Sequence, residues 1–191
     1  APKCICKGIK LPRKESIPQC CCSYALYIAP DSSVGIAWED GVCVLTPMEM
    51  MFLDNLLTQG CDVVCHDMKS TFHMLRRMGL PKPKCTFDTA LAAYDLNPSQ
   101  SDYPVSKLAT TFLGASVEDG DAAACAETLW HLRPVLTEEL EKCGMTELYG
   151  EIELPLCDVL YRMEKEGIDI DRNQLIAFGD MLSTRIADCE K

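Results

Sequence analysis

The order of apolar runs along the chain is what most limits the folds open to it: three short runs crowd into residues 20–45, and helical spacing takes over afterwards. Residues 20–28 are mostly apolar and close on Ala29-Pro30-Asp31, the pattern of a buried strand. Residues 34–38 and 42–45 flank Glu39-Asp40-Gly41, whose Asp-Gly pair signals a tight hairpin between two antiparallel strands. Pro47 suits the first turn of a helix reaching about residue 57, with Met48, Met51, Phe52 and Leu56 expected on one stripe and Gly60 past its end. A further strand is expected over 61–65. The helix expected over 67–78 carries Met68, Phe72, Leu75 and Met78 as its apolar stripe and stops at Gly79.

The second half reads as helical. A short helix over 88–96 is capped by Asp88 and ended by Asn97-Pro98, and another covers 105–113. From Asp121, the stripe Cys125, Leu129, Leu132, Leu136 and Leu140 keeps helical spacing to Cys143, while Pro134 removes one hydrogen bond and should kink or split the helix. Leu148, Ile152, Leu156, Val159 and Met163 mark the next helix, which contains Pro155 and ends at Gly167. Residues 168–170 form a short extended bridge, and Asp171-x-x-Gln174 resembles a capping box opening the last helix. Strands first, one strand between helices, then helices only: this order predicts an α/β domain with a mixed sheet, followed by a helical extension. The expected organisation is an arm over 1–17, the α/β domain over 18–144 and the extension over 145–191. The last helix meets no stop signal and the first residue is Ala, so the chain is expected to be cut from a longer polypeptide.

A chain of 191 residues can bury about two-thirds of its unfolded surface and needs neither disulfide nor metal to fold. No apolar run approaches the roughly 20 residues of a membrane span, and the first residues lack the apolar core of a signal peptide. A cytoplasmic protein without a membrane partner is expected. Eighteen basic against 29 acidic residues give a net charge of −11, which repels nucleic acid at long range unless a basic neighbour is attached. Lys3, Lys7, Lys10, Arg13 and Lys14 are the local exception and read as a solvated arm. The 13 cysteines raise the question of zinc, with Cys4, Cys6, Cys20, Cys21, Cys22, Cys61, Cys65 and His66 as conceivable ligands. A structural zinc site needs two closely spaced pairs, and no second one follows Cys61 and Cys65. The cysteines are expected mostly as small buried hydrophobes in a reducing compartment.

Two blocks carry a resemblance. The first is Val64-Cys65-His66-Asp67-Met68-Lys69 followed by Thr86-Phe87-Asp88-Thr89-Ala90-Leu91-Ala92-Ala93-Tyr94-Asp95-Leu96-Asn97-Pro98. The second is Glu151-Ile152-Glu153-Leu154-Pro155-Leu156 with the stretch from Val159 to Asp171. The first resembles the 3′–5′ exonuclease domain of bacterial family A DNA polymerase I, and the second resembles the junction where that domain hands over to the polymerase thumb. Together with weaker similarity between them, they cover about residues 20–191. The resemblance implies a ribonuclease-H-like α/β fold. It further implies a parent enzyme of DNA replication and repair that adds deoxynucleotides to a primer, with magnesium in its polymerase domain and the rest of that chain as the partner. DNA would be reached only through the parent.

In such exonucleases, two divalent ions about 3.5–4 Å apart activate water and stabilise the leaving oxygen. Hard cations of this kind require carboxylate oxygens. The family places an Asp-x-Glu pair on the first strand, an Asp on the helix after the Lys-containing block, and Tyr-x-x-x-Asp on a late helix. Carried over, the first strand around Ala25 holds no acid, the second motif's Asp falls on Thr71, and the third motif's Tyr and Asp fall on Asp121 and Cys125. The turn of residues 29–33 is also short for an active member. The resemblance therefore implies a degenerate domain with no catalytic, cofactor-binding or metal-binding residue, whose role is structural. His66 and Lys69 keep motif positions with no metal to assist. Glu39 and Asp40 read as hairpin-turn residues, Glu118, Asp119 and Asp121 as helix-start acids, Asp88 as a cap and His131 as a packing or surface residue. The alternatives are an active nuclease with relocated ligands Asp121, Glu118, Asp67 and Asp31, and a zinc-held or partner-recruiting module.

Overall fold

The backbone of this computed structural model, described for residues 23–46, 49–58 and 60–190, begins with the three expected strands. They are β1 (Ser23–Ile28), β2 (Val34–Trp38) and β3 (Gly41–Leu45), paired antiparallel. Trp38 pairs with Gly41, so Glu39 and Asp40 are the two turn residues and Gly41 is already in the strand. Neither turn residue has positive φ, so the hairpin forms as expected but without a left-handed Asp-Gly turn. Next come α1 (Met50–Thr58) and β4 (Asp62–Cys65), which lies parallel to β1. The helix α2 (Met68–Arg77) then leads to β5 (Cys85–Asp88), parallel to β4. The five strands run in the order β3-β2-β1-β4-β5, a mixed sheet. Sequence reading missed β5: Pro81 and Pro83 precede it and it has only four residues, so its strand character comes from the edge that β4 offers.

Strand alternation divides the core in two. Tyr24, Leu26, Val34, Ile36, Trp38, Cys43, Leu45 and Val63 face α1 and α2. Ala25, Ala37, Val42 and Val64 face the other helices: α3 (Thr89–Leu96), α4 (Val105–Leu108, continued by a π-helical segment, Ala109–Leu113) and α5 (Ala122–Lys142). The residues on this second face are small, which lets α5 lie close over β1 and β2. It presents Cys125, Ala126, Leu129, Leu132, Leu136 and Leu140 inward, as its spacing predicts, and it runs unsplit through Pro134.

One expected stripe is corrected. On α1, Met51 is 75% and Phe52 52% exposed, and the buried residues are Leu53, Leu56 and Leu57. The helix is apolar on more than one side, so period alone could not select the face that meets the sheet. After α5, a π-helical segment (Leu148–Glu153) leads into α6 (Leu154–Glu166). There Ile152 is 56% and Met163 63% exposed, with Leu148, Leu156 and Val159 exposed as well, while Tyr149 and Tyr161 are buried.

Two compact units divide between Tyr161 and Arg162. The second holds the end of α6, Gly167 at φ +74°, and α7 (Arg172–Cys189), where the Asp171 carboxylate accepts from the Asn173 and Gln174 amides as the capping signature expects. The arm of residues 1–17, the cysteines at 4, 6 and 20–22, Pro47 and Met48 lie outside the described residues. Among the described residues, no helix is long and apolar enough to cross a membrane.

Candidate functional site

Parallel strands β4 and β5 end side by side, with Cys65 paired to Asp88, and each feeds a helix start. Beyond Cys65 the chain turns through His66 and through Asp67, which sits in the left-handed region at φ 53° and caps α2 by accepting from the Ser70 amide at 3.1 Å. Asp88 caps α3, as its sequence position predicts, accepting from Ala90 N at 2.9 Å and Leu91 N at 3.3 Å. The same carboxylate also accepts from Asp67 N at 3.0 Å and Met68 N at 2.6 Å, so one buried side chain serves two helix N-termini. This second partnership spans 20 residues and leaves no mark in local sequence. Behind it, the buried Tyr149 hydroxyl accepts from Asp88 N at 2.7 Å and sits 3.2 Å from Asp88 O, to which it donates. Burial pushes the Asp88 carboxyl up to about 6, although its backbone donors pull the other way.

His66 Nδ1 lies 2.9 Å from Thr89 Oγ1, whose own proton goes to the Cys65 carbonyl at 3.3 Å. With that hydroxyl proton committed, Nδ1–H is the donor to Thr89. Desolvation pulls His66 down to about 4, against the opposing charges of Asp67 and Asp119. Its contribution to stability is present above 6.5 and is lost as pH falls through about 4. In an NMR titration its ring resonances are expected to hold their positions from pH 7 to pH 5; a midpoint near 6.5 would contradict this environment. His66, Asp67, Lys69, Tyr94 and Tyr103 line a groove of about 490 Å³ at this end of the sheet.

The positions matched to metal-holding motifs are now placed. Ala25 is fully buried, paired with Ala37 and packed in the α5-side core. Two residues further along the same face, Tyr27 turns its phenol to the Cys125 thiol, with Asp119 nearby. Burial, with Cys125 and Asp119 adding to it, pushes Tyr27 up to about 12. Burial likewise takes Cys125 up to about 11, so both groups are neutral at physiological pH. Cys125 Sγ also reaches the Glu118 carbonyl at 3.5 Å. The Thr71 hydroxyl donates to His66 O at 3.2 Å. The contact between Tyr27 and Cys125 escaped sequence reading, because pairing a first-strand residue with one on α5 requires the sheet register.

Three of the four carboxylates expected as relocated ligands accept from backbone amides. Asp121 caps α5 through the Ala123 and Ala124 amides, each at 3.0 Å. Asp67 caps α2, and Asp31 holds the Ser33 amide at 2.9 Å in the turn after β1. Asp119, expected with Glu118 at the start of α5, instead accepts from the Ser106 amide at 3.0 Å in the first turn of α4. Among the described residues, no three His, Cys, Asp or Glu side chains converge in a way that could hold a metal ion. A phenol, a thiol and a threonine hydroxyl do not match the carboxylate cage that two hard cations require. Of the zinc candidates, Cys61 packs with the core beneath α1 and α2, whereas Cys65 belongs to a separate cluster with Met68, Phe72 and Tyr161.

No family model matches the chain. DNA polymerase I of Caldicellulosiruptor bescii is 28% identical over 160 residues, covering 80% of this chain and 18% of that protein. The POL domain of Pol1 from M. smegmatis, solved with DNA primer-template and dNTP, superposes with a TM-score of 0.74 at 25% identity, over 86% of this chain and 32% of that one. Brucella melitensis NrnC shares the fold at a TM-score of 0.59 and 18% identity, over 78% of this chain and 89% of that one. The chain thus spans less than a fifth of the length of the curated polymerase it matches.

Proposed function

We propose that this chain, which belongs to the bacterial DNA polymerase I family (family A), supplies that family's 3′–5′ exonuclease-like domain and the start of its polymerase portion, with the exonuclease-like domain acting as a scaffold. The fold is ribonuclease-H-like on this reading: a mixed sheet covered by helices on both faces. The contact between Tyr27 and Cys125 carries the proposal. It puts a neutral phenol and a neutral thiol against each other at the strand–helix crossing where the family's motifs bring carboxylates together. The carboxylates that act on this pair, Asp119 and Asp121, accept from the amides of Ser106 and of Ala123 and Ala124, which leaves them poorly placed to cage a pair of magnesium ions, and a thiol prefers softer metals. The parent enzyme would extend primers in replication and repair in the cytoplasm, with magnesium bound in its polymerase domain. The net charge of −11 argues that this segment leaves DNA binding to the rest of that chain.

The test is an incubation of the purified protein with a single-stranded, 3′-labelled oligonucleotide and magnesium or manganese. No shortening above a mock preparation is expected, and calorimetric titration with manganese should show no tight site. Metal-dependent trimming that a chelator abolishes would overturn the proposal.

A further inference from the structure

Cys65 and Cys85 stand on neighbouring parallel strands with their sulfurs 3.0 Å apart. Cys85 pairs with Val63, two residues before Cys65 on the same sheet face, and the irregular register between Val63 and Val64 allows the diagonal contact. The two sulfurs differ in access. Cys65 is buried, whereas Cys85 is half-buried and lines a groove of about 470 Å³ together with Met68, Phe72, Lys84, Leu154 and Pro155. Burial pushes the Cys65 thiol well above its ordinary range, which leaves Cys85 as the sulfur that meets a reagent first. Cys157, half-buried, packs in the same cluster as a third thiol.

We propose that Cys65 and Cys85 form a redox-modification site, closed into a reversible disulfide by exchange with a small disulfide of the glutathione class that enters the groove. The Cys85 thiolate, its proton given to solvent, attacks one sulfur of the reagent and expels the other half as a thiolate, giving a mixed disulfide. Cys65 then loses its proton and attacks Cys85 Sγ, and the second half of the reagent leaves as a thiolate. The two protons end on the two released thiols, so two protein thiols are oxidised and one small disulfide is reduced. Proximity favours the second step, because the resolving sulfur is already at van der Waals range. The new bond would tie β4 to β5 at the edge of the sheet, around the segment that carries α2.

The full chain is incubated with oxidised glutathione, alkylated and digested without reductant. Mass mapping is expected to find the Cys65 and Cys85 peptides joined, lighter by two hydrogens than their sum, and separated by dithiothreitol. The oxidised protein should melt roughly 5 °C higher than the reduced one. Cys157→Ser should keep the link and Cys85→Ser should remove it. A persistent glutathione adduct on Cys85, a link to Cys157 in place of Cys65, or modification confined to the exposed Cys143 and Cys189 would each overturn the proposal.

Discussion

Alanine at position 35 is expected to remove a large part of the protein's stability, although the substitution adds a single methyl group. A Cβ built on Gly35 would lie 1.8 Å from the Ala122 carbonyl oxygen, 2.5 Å from its carbon and 3.0 Å from Ala126 Cβ. The first two are backbone atoms in the first turn of α5 and the third is an alanine Cβ fixed to the next turn, so no side chain can rotate aside. Accommodation would require lifting α5 off β2, which loosens Ala25, Ala37, Ala126 and Leu129 together. Overpacking of this severity costs roughly 3–5 kcal/mol, a large part of the 5–15 kcal/mol that holds a typical domain together. Urea unfolding followed by circular dichroism measures it directly. Gly150→Ala is the matched control, since nothing lies within 4 Å of its Cβ and its φ is not positive; its stability should be unchanged or slightly raised. A Gly35→Ala protein as stable as the parent would mean that α5 does not approach the sheet this closely.

Removing the Asp88 carboxylate is the second large effect. Asp88→Ala would strand the amides of Asp67, Met68, Ala90 and Leu91 at two helix starts, with no water able to reach those that are buried. Each unmet buried donor costs about 1–3 kcal/mol, and partial relaxation brings the expected total to roughly 3–5 kcal/mol. Asp88→Asn keeps one acceptor oxygen and should fall between parent and alanine variant. The two also differ in pH dependence. Because burial raises Asp88 from 3.8 to about 6, its protonation stabilises the folded state, fully below 3.8, and this contribution is lost as pH rises through about 6. Asp95, raised to about 6 by burial and by Glu153, behaves the same way, and His66 acts in the opposite sense over the same window. Asp88→Asn removes one of the two groups that offset His66. Its stability should therefore fall more steeply than the parent's between pH 6.5 and pH 4; equal slopes would contradict the assignment.

Short-range physics made much of this molecule legible. Turn residues, caps and the change of period from 2 to 3.6 located β1 to β4, α2, α3, α5 and α7, and the motif blocks by themselves pointed to the polymerase family. The misreadings share one origin. The α1 stripe was drawn through Met51 and Phe52 because a short helix with apolar residues on several sides does not announce which side meets the sheet. β5 went unread because four residues acquire strand character only beside β4.

By itself, the sequence put Ala25, Thr71, Asp121 and Cys125 at the positions that the resemblance singled out, since residue identity at a motif position needs no geometry. Only the tertiary structure decided what occupies that place and what holds the sheet's end together. Tyr27 meets Cys125 across a strand–helix crossing, Asp88 reaches back 20 residues to a second helix, and Cys65 finds Cys85 through an irregular strand register. Each of these contacts joins residues at least 20 positions apart, and such pairings are chosen by the sheet's register and the packing of helices on it, which no local pattern encodes.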